Sequence, residues 1–147
     1  MTSSQQGNIY LANLIYIFHC GILLFVLFAP FANISAILIL HITFCISLFI
    51  HWYANSNICG LTILESQLRG LDTTDTFSHK FISPIYDISA SEWNNILWII
   101  TFIVMCISIY KLYHTEKFKN AWNCYLKLEE FTWQKRFECF KPLFVID

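Results

Sequence analysis

The stretch that decides the fold is Ile9–Tyr53, IYLANLIYIFHCGILLFVLFAPFANISAILILHITFCISLFIHWY, which contains no Lys, Arg, Asp or Glu. The lack extends to both sides, because the first such residue anywhere in the chain is Glu65. A water-soluble domain needs charged groups on each surface segment, so this half of the chain has a different solvent. At about 1.5 Å per residue, roughly 20 helical residues cross a bilayer core. Pro30 divides the run into two segments of that length, at about 9–29 and 34–53.

A third apolar run follows at 93–113, WNNILWIITFIVMCISIYKLY. Ser89-Ala90-Ser91-Glu92 before it has the capping-box pattern, with Ile88 and Trp93 where a hydrophobic staple would sit. Trp93 and Trp98 at one end, and Tyr110 and Tyr113 at the other, suit the two membrane interfaces. Composition agrees. Hydrophobic residues make up 56% and charged residues 13% of the chain, with mean hydropathy +0.54, whereas soluble domains carry about 25% charged residues. A net charge of −1 gives no reason to expect a nucleic-acid partner. The chain reads as one all-α integral membrane unit, residues 1–147, whose first partner is the lipid bilayer. It has three transmembrane helices, an outer loop at 54–92 with a short interfacial helix after the second span, and an amphipathic C-terminal helix in a tail at 114–147.

Seven of the nine basic residues lie at the end of the third span or beyond it: Lys111, Lys117, Lys119, Lys127, Lys135, Arg136 and Lys141. Basic flanks stay on the cytoplasmic side, which puts the tail there and the 54–92 segment and N-terminus on the other. MTSSQQGN has no basic n-region and no small-residue cleavage site, so no removable signal peptide is read. Asn33-Ile34-Ser35 matches a glycosylation triplet but falls in the tight turn on the cytoplasmic side. Cys20, Cys45 and Cys106 fall inside spans and behave as small apolar residues. Cys59 stands alone outside, and Cys124 and Cys139 are in the tail; with no C-x-x-C pair, neither a metal site nor a disulfide framework is expected.

Three regions are candidates for function. The exit of the second span, His51-Trp52-Tyr53-Ala54-Asn55-Ser56-Asn57-Ile58-Cys59-Gly60-Leu61-Thr62-Ile63-Leu64-Glu65, is the most specific. Trp52 and Tyr53 anchor a helix end, and Asn55, Asn57 and Gly60 favour a turn. Thr62-Ile63-Leu64-Glu65 reads as a second capping box, opening a short helix that Gly70 closes. His51, Asn55, Cys59 and Glu65 would together make a polar pocket at the interface. A Cys near a His is the minimum for nucleophilic catalysis, but no orienting third group or oxyanion hole stands at a recognisable spacing.

The positions His51, Trp52, Asn55, Cys59, Leu61, Thr62 and Glu65 form an H-W-x-x-N-x-x-x-C-x-L-T-x-L-E element. It resembles a pattern in small multi-span membrane proteins of large double-stranded DNA viruses. A similar C-x-L-T-x-L-E element occurs in a bacterial family of small multi-span proteins, with Pro where this chain has Gly60. The viral resemblance implies a virion or host-membrane component rather than a catalyst. The bias toward Ile, Phe, Asn and Lys is compatible with an AT-rich genome.

The second region is the pair His19 and His41. An antiparallel turn around Phe31 sets His19 opposite Phe44 and His41 opposite Ile22, about 4.5 Å apart in depth. Two histidines at mid-membrane are the minimal axial set for a haem, and they also serve as interhelical hydrogen-bonding groups. No cofactor is expected, haem on His19 and His41 being the alternative. The third region is the tail. Phe118, Trp122, Tyr125 and Phe131 fall on one helical side, and Trp133, Phe137, Phe140 and Phe144 continue it at helical steps. Lysines and glutamates occupy the opposite side, so the aromatic face suits the membrane surface or a protein groove. Pro142 ends this helix and leaves LFVID extended. Residues 70–89 read as an ordered loop lying against the membrane face. Lateral association is open, with Gly21 and Ala36 permitting close approach. The expectation is a non-enzymatic structural protein of a virion inner membrane or a host endoplasmic-reticulum-derived membrane, linking it to a capsid shell or other membrane proteins.

Overall fold

Three long helices form because every backbone polar group in lipid must be satisfied within its own segment. The computed structural model describes residues 3–70, 89–128 and 132–145. Helix α1 is Ser3–Phe28, α2 is Ser35–Ala54, α3 is Gly60–Arg69, α4 is Ala90–His114, α5 is Glu116–Leu126 and α6 is Trp133–Phe140. Segments Asn8–Phe31, Ser35–Ala54 and Ser91–His114 are each long and apolar enough to span a bilayer. Large apolar side chains stand outward along them, among them Leu14, Ile17, Phe18, Leu40, Ile50, Ile99 and Phe102. That exposure is what a hydrocarbon solvent requires. Gly21 also faces outward, with open space where a Cβ would be.

The inside of the bundle is small and partly polar. Leu38, His41 and Cys45, at i, i+3 and i+7 on α2, are wholly buried, and Ser108 and Thr101 of α4 are buried too. Small side chains let helix backbones approach where no hydrophobic effect drives them together. His41 ties three helices. Its Nε2–H donates to the Val26 carbonyl of α1 at 3.0 Å, and the Ser108 hydroxyl of α4 donates to Nδ1 at 2.8 Å. A carbonyl can only accept, so the tautomer follows from the geometry. Phe25 packs beside this imidazole with ring centroids 5.8 Å apart. His41 therefore sits level with Phe25 and Val26, about one turn deeper than the expected neighbour Ile22. The connection itself begins as a 3-10 turn, Ala29–Phe31, with Ala29 and Pro30 buried.

Each end of α4 is held separately. At the tail-side end, Lys111 Nζ donates to the Ala32 carbonyl at 3.0 Å and to Asn33 Oδ1 at 3.1 Å, capping the turn between α1 and α2. At the other end Trp98 stacks on Phe49 at 5.0 Å and donates Nε1–H to Asn57 Oδ1 at 3.1 Å. The Ser89–Glu92 capping box forms as the sequence predicts. Its staple partner Ile88, and the loop at 71–88, lie outside the described residues.

Helix α3 departs from expectation in two ways. It starts at Gly60 with Cys59 as N-cap, so Thr62–Glu65 lies within the helix and forms no capping box. Glu65 instead pairs with Arg69 Nε at 2.9 Å. The second departure is that its buried stripe is polar: Thr62, Glu65 and Ser66 are covered while Leu64 is exposed. This stripe lies along α1, where Arg69 donates to Asn13 Oδ1 at 2.9 Å. Polar groups turn toward protein because lipid offers them no partner. Gly70 closes α3 in the left-handed conformation, with φ 67°.

Removing the donor to His41 in Ser108→Ala should lower stability by about 0.6 kcal/mol, a typical interhelical hydrogen bond in a bilayer. His41→Ala should cost more, since it also opens a cavity and strands the Val26 carbonyl. Reversible unfolding in sodium dodecyl sulfate with Trp fluorescence as readout checks both, and an unchanged midpoint for His41→Ala would contradict the three-helix tie.

Candidate functional site

The turn after α2 is built from the backbone up. Asn57 N–H donates to the Trp52 carbonyl at 2.8 Å, and Ser56 and Asn57 adopt positive φ of 52° and 66°. These two, rather than Asn55 and Gly60, supply the left-handed backbone; Asn tolerates it better than most side chains. The chain then returns so that Gly60 N–H donates to His51 Nε2 at 2.9 Å. A Cβ on Gly60 would lie 3.2 Å from His51 Cε1, so a bare backbone is needed for the ring to sit there. A proline in this place, as in the bacterial pattern, has no N–H to offer. Asn55 Nδ2 donates to the His51 carbonyl at 2.8 Å. His51 thus orients the first turn of α3.

Beneath this turn lies a partly enclosed cavity of about 610 Å³ between α1, α2, α3 and α4. His51, Trp52, Cys59, Leu61 and Thr62 of the predicted element line it. Asn55 and Glu65 do not, so the anticipated pocket of His51, Asn55, Cys59 and Glu65 is not assembled. His19 lines this same cavity. His19 and His41 differ in depth by six to seven residues along α1, about 10 Å rather than 4.5 Å. Both ring nitrogens of His41 are engaged, and an iron would have to displace Val26 or Ser108.

The tail is a hairpin and not one amphipathic helix. Thr115 separates it from α4: its hydroxyl accepts from Phe118 N–H at 3.3 Å and donates to the Leu112 carbonyl at 2.7 Å. Helices α5 and α6 then pack on one another, joined by a Cys124–Cys139 disulfide with Cα atoms 5.6 Å apart. This overturns the expectation that these thiols stay apart. The physical reason is the chain reversal between the helices, which brings two residues 15 apart face to face. Arg136 Nη1 donates to the Tyr125 hydroxyl at 2.6 Å while its guanidinium lies 4.6 Å above the Tyr125 ring. Pro142 opens a 3-10 turn, Lys141–Phe144, instead of an extended end, and Leu143 is buried within it.

The aromatic set divides accordingly. Phe118, Trp122 and Tyr125 stack in series at 6.2 and 5.5 Å, and Tyr125 meets Phe140 at 5.7 Å. Trp133 and Phe137 stay 77% and 68% exposed, with Trp122 and Phe144 also outward. Phe131 lies outside the described residues. The residues that reading along the chain missed are Ser108, Lys111, Asn13 and Arg69, whose partners are distant in sequence. The spacing of Cys124 and Cys139 on two aromatic-rich segments was the one available signal for the disulfide.

An all-helical integral membrane protein with three spans is the class these features define. Comparison with protein-family models, curated proteins and solved structures finds no match to this chain.

Gly60→Ala should force His51 off its hydrogen bond and detach the start of α3, seen as faster amide exchange over 60–66. The same exchange with Gly21→Ala, which meets open space, would show that glycine content in general and not the His51 contact is responsible. Reducing the disulfide, or Cys124→Ser, should destabilise the hairpin by about 3 kcal/mol from chain entropy at this loop length. Limited proteolysis of the tail with and without reductant measures it.

Proposed function

We propose that this protein is a non-enzymatic membrane anchor whose tail hairpin docks a protein layer at the membrane face. The observation that carries this reading is the combination of a stapled hairpin with outward aromatics. The disulfide and the Arg136–Tyr125 contact rigidify a short element, while Trp133, Phe137 and Phe144 remain exposed. Exposed apolar patches rimmed by polar groups mark interaction sites, and large aromatics dominate interface energetics. Lys135 and Lys141 are exposed near Phe137 in the sequence and offer charged groups beside these aromatics. The resemblance of residues 51–65 makes the anchored membrane the inner membrane of a large DNA virus particle and the docked layer its capsid shell.

Orientation is argued by two features that pull apart. Seven basic residues at the end of the third span and beyond it favour a cytoplasmic tail. The disulfide taken by itself favours the opposite side, because the cytosol keeps thiols reduced. A tail that is reduced while the protein is made in the cytosol and oxidised once the particle has left it satisfies both.

Particles stripped of lipid by a non-ionic detergent should retain the wild-type chain with the shell, and a Trp133→Ala/Phe137→Ala variant should leave with the lipid. Release of the wild type would overturn the anchoring role. Alkylation gel shifts should find the tail thiols free in newly made protein and blocked in particles. Thiols already blocked at synthesis would reverse the orientation.

A further inference from the structure

The two halves of the tail meet in an antiparallel ladder. Lys117, Ala121 and Cys124 lie on one face of α5, at i, i+4 and i+7. Their counterparts run the other way along the chain: Val145, Leu143 and Cys139. One rung is the hydrogen bond from Lys117 Nζ to the Val145 carbonyl at 3.1 Å, and another is the Cys124–Cys139 bond. Between these rungs each side contributes one buried side chain, Ala121 and Leu143. The 3-10 turn that carries Leu143 packs on α2 as well as on α5. The far half of the tail is thus seated on the near half and on the membrane bundle together.

Little besides the disulfide holds it there. Helices of 11 and 8 residues do not persist by helix formation alone. Tyr125, with Arg136 and Phe140 around it, is a further tie, and it is only partly buried. Cross-linking residues 15 apart shifts the balance between closed and open hairpin about a hundredfold. The two cysteines are unequally placed, Cys124 being exposed and Cys139 buried. A small thiol or disulfide in solution therefore meets Cys124 first.

We infer that Cys124 and Cys139 are a redox latch that sets whether α6 and the turn Lys141–Phe144 are seated on α5 and α2. Closing it needs a small disulfide such as oxidised glutathione. The Cys124 thiolate attacks one sulfur of that disulfide and displaces the first glutathione thiolate. The Cys139 thiolate then attacks the Cys124 sulfur and displaces the second. The protons of the two thiols pass to solvent, the cysteine pair loses two electrons and the small disulfide gains them. Seating α6 gives Trp133 and Phe137, four residues apart on its exposed side, one fixed arrangement. The consequence for docking rests on the anchoring role proposed above: the tail's grip on the protein layer tightens only as the particle leaves the reducing cytosol.

Amide hydrogen exchange of the full chain in nanodiscs, in glutathione buffers from reduced to oxidised, tests the latch without any partner. Exchange over 133–145 should slow about a hundredfold between the two ends, with the three spans unchanged. Cys124→Ser/Cys139→Ser should exchange at the fast rate in every buffer, circular dichroism confirming that its helices persist in the spans. Equal protection of reduced and oxidised wild type would overturn the latch, because packing alone would then close the hairpin. Detergent-stripped particles separate this from the docking role. The shell should keep oxidised wild type and lose the double serine variant. A variant retained as well as wild type overturns redox control of docking. Loss of oxidised wild type sinks the docking role itself, and the exchange result still decides the latch.

Discussion

Inside a bilayer a polar side chain has no water to return to, and His41 is where three helices answer that demand at once. Its imidazole bonds to the Val26 carbonyl and to Ser108 while standing on α2, so α1, α2 and α4 are held at one level. Leu38 and Cys45 complete the buried stripe around it. Apolar contact alone does not hold such a bundle, since lipid tails pack against leucine as readily as another helix does. On the α3 side of this pin, α1 packs chiefly against α3, and α2 against α4.

Helix α3 lies along α1. A helix with Thr62, Glu65, Ser66 and Arg69 on one side has the amphipathic pattern of a surface helix, and on a soluble protein the stripe would face water. Here it faces α1, where Asn13 bonds to Arg69, and Leu64 is left toward lipid and the cavity. The inversion follows from the solvent. It also accounts for the His51–Gly60 bond, which fixes where the chain turns back and therefore where the chamber is roofed.

On the other side of the bundle the tail meets a different problem. Two helices of 11 and 8 residues are too short to be stable by helix formation alone. They bury little beyond Ala121, Cys139 and Leu143. The disulfide and the stacking of Tyr125 with Phe140 and Arg136 take over the part that a core would play. Trp133 and Phe137 remain largely on its surface.

How much of this was legible along the chain depends on the range of the force involved. The three spans follow from the absence of charge before Glu65 and from run length, because transfer into lipid is a property of each segment alone. The Ser89–Glu92 cap and the Gly70 stop were likewise readable, being contacts within one turn. The level of His41 against Val26 is not legible in the same way, because it depends on how two helices pack across the turn. The two tail helices read along the chain as one because residues 127–132 carry no Gly or Pro. The pairing of Cys124 with Cys139, the inward polar face of α3 and the chamber lined by Thr62 belong to tertiary structure only. Each depends on which surfaces meet across 15 or more residues, and side-chain identity by itself does not specify that.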